Sequence, residues 1–198
     1  MRVGRQVVQG GWFGAPFHVV EGRTKPAPLY HLPTDTHTVG SDERGVRRAA
    51  LSGASAYLKI ADGCRRPCAF CSIPAIKGHP VSRPPQVIAA EAAALVGQGV
   101  RELILIAQDL TDYGHDLGLA DGLPHLIQSI LAAAPQVRWL RLMYAYPGAV
   151  SDRLIELMAS RSQIAHYLDI PLQHGHPAVL RRMGRPANIE WVYRTVDR

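Results

Sequence analysis

Cys64, Cys68 and Cys71 fall within eight residues of one another, spaced C-x3-C-x2-C, with Phe70 directly before the third; the chain has no other cysteine. Thiolates this close can share one metal centre, and three is one fewer than a closed four-ligand site uses. An odd, crowded set of thiols does not make a disulfide framework. Zinc would need a fourth ligand, for which His79 is nearest, giving a Cys3His structural site. An iron–sulfur cubane would be anchored through three irons and keep the fourth open for chemistry. Zinc knuckles use paired C-x2-C units, and no second pair is present, so the cubane is the stronger of the two readings; unliganded thiols are the third. Arg65, Arg66, Lys77 and Arg83 surround this loop. They could attract anionic groups or simply form a solvated basic surface.

The elements that must position these residues are legible from about residue 57 onward. A short apolar run, 57–61, predicts a strand that breaks at Asp62-Gly63 and delivers the chain into the cysteine loop. Residues 86–97 predict a helix with Ile88, Ala92, Leu95 and Val96 on one face. The run LILIA at 103–107 has the pattern of a buried parallel strand. A polar loop over 108–122 leads to a second helix marked by Leu123, Ile127, Ile130, Leu131 and Ala134 and stopped at Pro135. Residues 139–144 predict a third strand, Ser151 an N-cap for a third helix, and 167–170 a fourth strand that would hold Asp169. A short helix with Pro177 in its first turn and Gly184 at its end follows, then a last helix from about Ile189.

Strand-helix repeated about four times predicts an α/β fold with parallel strands and right-handed crossovers. An open doubly wound sheet and a barrel-like curved sheet both satisfy the pattern, and both place ligands at the carboxyl ends of the strands. Those ends carry the cysteine loop, Gln108-Asp109, Tyr144 to Pro147, and Gln173-His174, which should therefore face one cavity. Tyr144 and Tyr146 suit packing better than reaction, and Tyr113 suits either the cavity wall or an exposed loop. Residues 1–55 are poorly patterned and rich in Pro and Gly, as in a linker or the remnant of a further domain, with 17–20 a strand candidate and 33–45 an exposed loop. Residues 56–198 form the patterned core.

Composition is consistent with a globular fold. Hydrophobic residues make up 47% and charged residues 19%, and no apolar run approaches the ~20 residues that span a bilayer. No signal-peptide core is present at the start, so a cytoplasmic location without membrane association is the expectation. The net charge of +6 permits an anionic partner without requiring one.

The thiol spacing with its preceding aromatic resembles the motif of radical S-adenosylmethionine (SAM) enzymes. YLKIADGC and IPAIKGHPVSRP around it resemble the methylthiotransferase branch. QDLTDYG (108–114), YAYP (144–147), YLDIPLQH (167–174) and LRRMGRP (180–186) are similar to the subgroup that methylthiolates an aspartate of ribosomal protein uS12. A sister subgroup acts on an adenosine of tRNA and typically differs after the second and fourth strands; it and a zinc-stabilised binding module are the alternative functions.

The resemblance implies a partial (β/α) barrel. Its 4Fe-4S cluster would be held by Cys64, Cys68 and Cys71, with SAM chelated at the open iron and cleaved to a 5′-deoxyadenosyl radical. It further implies cofactor contacts from Phe70, Gln108, Asp109, Gln173 and His174. The implied partners are uS12 or the ribosome and an electron donor such as flavodoxin. The family also carries an N-terminal domain with three cysteines of its own, further barrel repeats and a small C-terminal β domain. The chain is therefore expected to be a central fragment. Arg181, Arg182 and Arg185 are expected on a plain surface face.

Overall fold

The computed structural model describes residues 54–197. The strand candidate at 17–20, the loop at 33–45 and nearly all of the proposed linker segment lie outside them. Within them, four parallel strands form one sheet: β1 (Ser55–Lys59), β4 (Glu102–Ile106), β5 (Trp139–Leu142) and β6 (Ile164–Leu168), ordered β1-β4-β5-β6. The helices between them are α2 (Pro85–Gly97), α3 (Gly122–Ala133) and α4 (Asp152–Ser160); α5 (Pro177–Arg182) and α6 (Ile189–Val196) follow β6.

Spatial order equals chain order, and α2 packs on α3 and α3 on α4, so the crossovers all lay their helices on the same face. A doubly wound sheet reverses direction at a switch point, and this sheet never does. The architecture is therefore the barrel-like alternative, as an open arc: β1 and β6 each have a single neighbour among the described strands.

Strand alternation sets the core. Leu58 of β1, Leu103 and Leu105 of β4, and Leu140 and Leu142 of β5 point at the helices and are buried. They meet Ile88, Ala92 and Leu95 of α2 and Leu126, Ile127 and Ile130 of α3, spaced as one helical face requires. Each leucine so buried contributes about 1.5–3 kcal/mol. The opposite face of the sheet is half-open and mixed, with Ile104, Ile106 and Tyr57 beside charged groups. Glu102 accepts from Ser55 (2.9 Å) and Arg141 (2.8 Å), and Arg141 stands over the Tyr167 ring. LILIA is thus a strand with one covered face, although its unbroken apolar run reads as covered on both.

Four predicted elements shift. The first strand, expected over 57–61, runs Ser55–Lys59, because its register follows β4 from Glu102 to Ile106, and Ala61–Asp62 pairs in a separate sheet. The fourth strand runs Ile164–Leu168, because Leu140 pairs with Ile164 and Leu142 with Leu168; this pairing carries more weight than the apolar run at 167–170. Asp169 then lies past the strand, half-buried, and its carbonyl accepts from Ala145 N (2.8 Å). The third strand stops at Leu142. The expected loop over 108–122 contains two short 3-10 turns, Leu110–Asp112 and His115–Leu117. Ser151 caps α4, accepting from Leu154 N (3.2 Å), and Pro177 opens α5, as expected.

Candidate active site and metal centre

The cysteine loop is held at its base by a miniature hairpin. β2 (Ala61–Asp62) pairs antiparallel with β3 (Val81–Ser82), and Arg83 N donates to Ile60 O (2.9 Å). Between them lies α1 (Ile73–Lys77), started by a proline in its first turn. Two-residue strands leave no periodicity to read, so the hairpin is absent from the sequence expectations. Gly63 makes the entry turn. Its φ is +79°, and a Cβ there would sit 2.2 Å from the His79 carbonyl oxygen, so only glycine fits. Cys64 N then donates to Gly78 O (3.1 Å), and Asp62 is paired with Lys59 and Lys77. Burial pushes the Asp62 carboxyl up, but hydrogen bonds from the two lysines outweigh it and hold the pKa below the ordinary value.

The four strand ends converge as the repeat pattern requires. One open cavity of about 310 Å³ is lined by Cys64, Cys68 and Cys71 with Phe70, by Gln108 after β4, by Tyr144 and Tyr146 after β5, and by Gln173 and Arg185 after β6. Tyr144 (φ +70°) and Gln173 (φ +76°) hold left-handed backbone conformations that non-glycine residues seldom adopt. Such strain concentrates at functional sites.

Two buried side-chain polar atoms among the described residues lack a partner, Gln108 Oε1 and Arg185 Nε, and both belong to lining residues of this cavity. An acceptor and a donor left open beside three thiols suit a polar ligand that brings the complementary groups. Cys64, Cys68 and Cys71 all line this one cavity, as thiols that share a metal centre must.

Charge around the cavity is almost entirely internally matched. Arg65 forks onto Asp112 (2.7–3.1 Å), Arg66 binds Asp109 (2.7 Å), Lys77 binds Asp62 and Arg83 binds Glu91. Each of the four cations that could have attracted anions is therefore paired with a carboxylate. Arg66 stands over the Tyr146 ring at 4.1 Å and Arg185 over the same ring at 4.5 Å. Burial pushes both the Tyr146 phenol and the Cys64 thiol above their ordinary pKa values.

The predicted contact residues divide. Gln108, Gln173 and Phe70 line the cavity, Phe70 from an exposed position (54%) rather than as core filling. Asp109 is buried behind the cavity-lining Arg66 and is not itself among the lining residues. It caps the 3-10 turn through Thr111 N (2.9 Å) and holds Arg66 in place. His174 lines an adjacent groove with Pro147, Leu180 and Trp191, and its Nδ1 accepts from His176 N (2.8 Å). Tyr113 is neither on the cavity wall nor exposed. It is 2% exposed and donates to the Arg83 carbonyl (2.7 Å), tying the loop after β4 to the hairpin.

Arg185 is the residue that sequence reasoning misplaced. It is buried rather than on a surface face, and its Nη1 lies 3.5 Å from Cys68 Sγ. Its position just beyond Gly184, at a helix end, was the available signal.

A family model described as the Radical SAM superfamily matches residues 58–198. The chain is 50% identical over 179 residues to the ribosomal protein uS12 methylthiotransferase RimO of Chloroflexus aurantiacus, covering 87% of this chain and 39% of that protein. It is 53% identical over 149 residues to the protein of the same name from Roseiflexus sp. strain RS-1, covering 75% and 32%. The chain thus spans about two fifths or less of these curated relatives' length.

Two solved structures of the radical S-adenosylmethionine methyltransferase TsrM from Kitasatospora setae share the fold. One has cobalamin and a 4Fe-4S cluster bound (TM-score 0.55, 19% identity, 71% of this chain and 27% of that one). The other has tryptophan substrate and the SAM analog aza-SAM bound (TM-score 0.57, 20% identity, 76% and 28%). With the family model matched over well more than half of its length and the open α/β arc shared, this chain belongs to the radical SAM superfamily.

Proposed function

We propose that this chain carries the cofactor-binding core of a methylthiotransferase that modifies an aspartate of ribosomal protein uS12 in the cytoplasm. The observation that carries the reading is one cavity bearing three thiols, an unpartnered acceptor on Gln108 and an unpartnered donor on Arg185. Cys64, Cys68 and Cys71 would hold a 4Fe-4S cluster, and Gln108, Gln173, Arg185 and Phe70 would surround SAM. The chemistry supplied when these are bound is one-electron reductive cleavage of SAM, the source of a radical that takes hydrogen from an unactivated C–H bond. The names of the curated relatives support uS12 over tRNA as the substrate. The electron would come from a reductant such as flavodoxin. No helix among the described residues is long and apolar enough to cross a membrane.

The chain's own residues do the preparatory work. The hairpin and Gly63 fix where Cys64 begins the loop. The pair Arg66–Asp109 holds a guanidinium over the Tyr146 ring, which keeps that ring as a fixed cavity wall. Gln108 sits two residues past the end of β4, so its amide starts close to the rigid sheet.

Anaerobic reconstitution of the chain with iron and sulfide should give a brown protein with broad absorption near ~400 nm, lost when the three cysteines are changed to alanine. A colourless product holding stoichiometric zinc would overturn the cluster reading. The substrate is tested by mass spectrometry of uS12 and tRNA from a deletion strain. Loss of the methylthio group from the uS12 aspartate is expected; an intact uS12 modification with methylthioadenosine missing from tRNA would assign the sister activity instead.

A further inference from the structure

Three contacts bring one corner of the chain, Met183 to Arg185, onto the middle of the cysteine loop from more than a hundred residues away. Ala69 N donates to Met183 O (2.9 Å). Gly184, at φ +64°, lies so close that an added Cβ would be 2.2 Å from the Pro67 carbonyl oxygen. Arg185 reaches Cys68 Sγ at 3.5 Å through Nη1 while Nη2 donates to the Pro171 carbonyl. The guanidinium stands over the Tyr146 ring (4.5 Å), over which Arg66 also stands (4.1 Å). A planar fork fixed at a carbonyl and against a ring has little freedom left, so the N–H aimed at the sulfur is preorganised. Cys64 has a different donor, the backbone N–H of Arg66 at 3.4 Å. Cys68 is thus the thiol governed by a cationic side chain.

We propose that Arg185 is a positioning residue for Cys68: it holds this thiolate in place and, by donating a charged hydrogen bond to its sulfur, raises the reduction potential of the metal centre bound there. This rests on the reading of the loop as a cluster site. Hydrogen bonds and positive charge at cluster sulfurs stabilise the reduced, more negative state. The neutralised surroundings make the effect specific to one residue. Arg65, Arg66, Lys77 and Arg83 each have a carboxylate partner, whereas Arg185 is bonded to a sulfur and a neutral carbonyl.

The test compares the 198-residue chain with Arg185→Met and Arg185→Lys after anaerobic reconstitution. Iron content, the EPR spectrum of the reduced state and the midpoint potential from an EPR-monitored redox titration are measured, with thermal melts as a folding control. The expected result is a potential shifted negative in Arg185→Met with a changed EPR line shape. Arg185→Lys, which keeps the charge but cannot engage sulfur and carbonyl together, should shift less. Loss of iron from Arg185→Met with an unchanged melt also supports positioning. Should Arg185→Met not fold, Arg185→Lys alone decides. A potential and spectrum equal to the parent's in each variant that folds overturns the proposal. A parent chain that takes up no iron refutes the cluster reading itself, and this inference with it.

Discussion

At the scale of single residues, the site is built by pairing charges so that few remain free. Asp62 shows the consequence most simply. Its two lysine partners outweigh the cost of its burial and lower its pKa in the folded state. A depressed carboxyl pKa stabilises the fold above the ordinary carboxylate range, and that contribution disappears as pH falls through the lower folded value. Asp62→Asn should therefore lose up to about 1 kcal/mol at neutral pH, the size suited to a partly exposed pair. In urea melts the gap from the parent should close in strong acid; a gap that is constant with pH would refute the pairing as its origin. Arginines are handled in the same way. Arg65 and Arg66, read from sequence as either an anion attractant or a solvated surface, spend their donors on Asp112 and Asp109.

At the scale of elements, the decisive piece is the hairpin that carries the cysteine loop. Its entry depends on Gly63, where both the positive φ and the nearby His79 carbonyl exclude a side chain. Gly63→Ala should cost more than about 2 kcal/mol and reduce iron uptake, because the strained turn would displace Cys64. Gly97 is the internal control. It closes α2 with open space around it and no positive φ. Gly97→Ala should be neutral or stabilise by up to about 1 kcal/mol through the unfolded state. Thermal melts of the two variants side by side check the contrast, and equal losses would contradict this account of the turn.

At the scale of the whole molecule, the described strands form an arc with one covered face. β4 sits between β1 and β5, and its Leu105 is fully buried beneath the helices. Leu105→Ala should lower stability by about 2–5 kcal/mol, the range for emptying a packed core site, and do so without altering the spacing of the thiols. A denaturant midpoint close to the parent's would mean that the arc is not held by this core. The same core explains the site's reach: a stiff sheet carries four loop starts to one end, so groups far apart in sequence share a cavity of about 310 Å³.

Sequence alone determined the chemistry-bearing triad, the alternation of strands and helices, and which strand ends would hold polar groups. These properties are local. Thiol spacing, a 3.6-residue apolar face and a capping Ser151 are written in neighbouring residues. Tertiary structure alone decided between a doubly wound sheet and an arc, because crossover direction depends on how helices pack on each other and not on any one element's pattern. It also set the start of β6, by pairing with β5. It set Asp109 behind Arg66 as that arginine's partner, and buried Tyr113 against the hairpin. Above all it brought Arg185 onto Cys68. That contact spans 117 positions along the chain, so no window of neighbouring residues holds both partners.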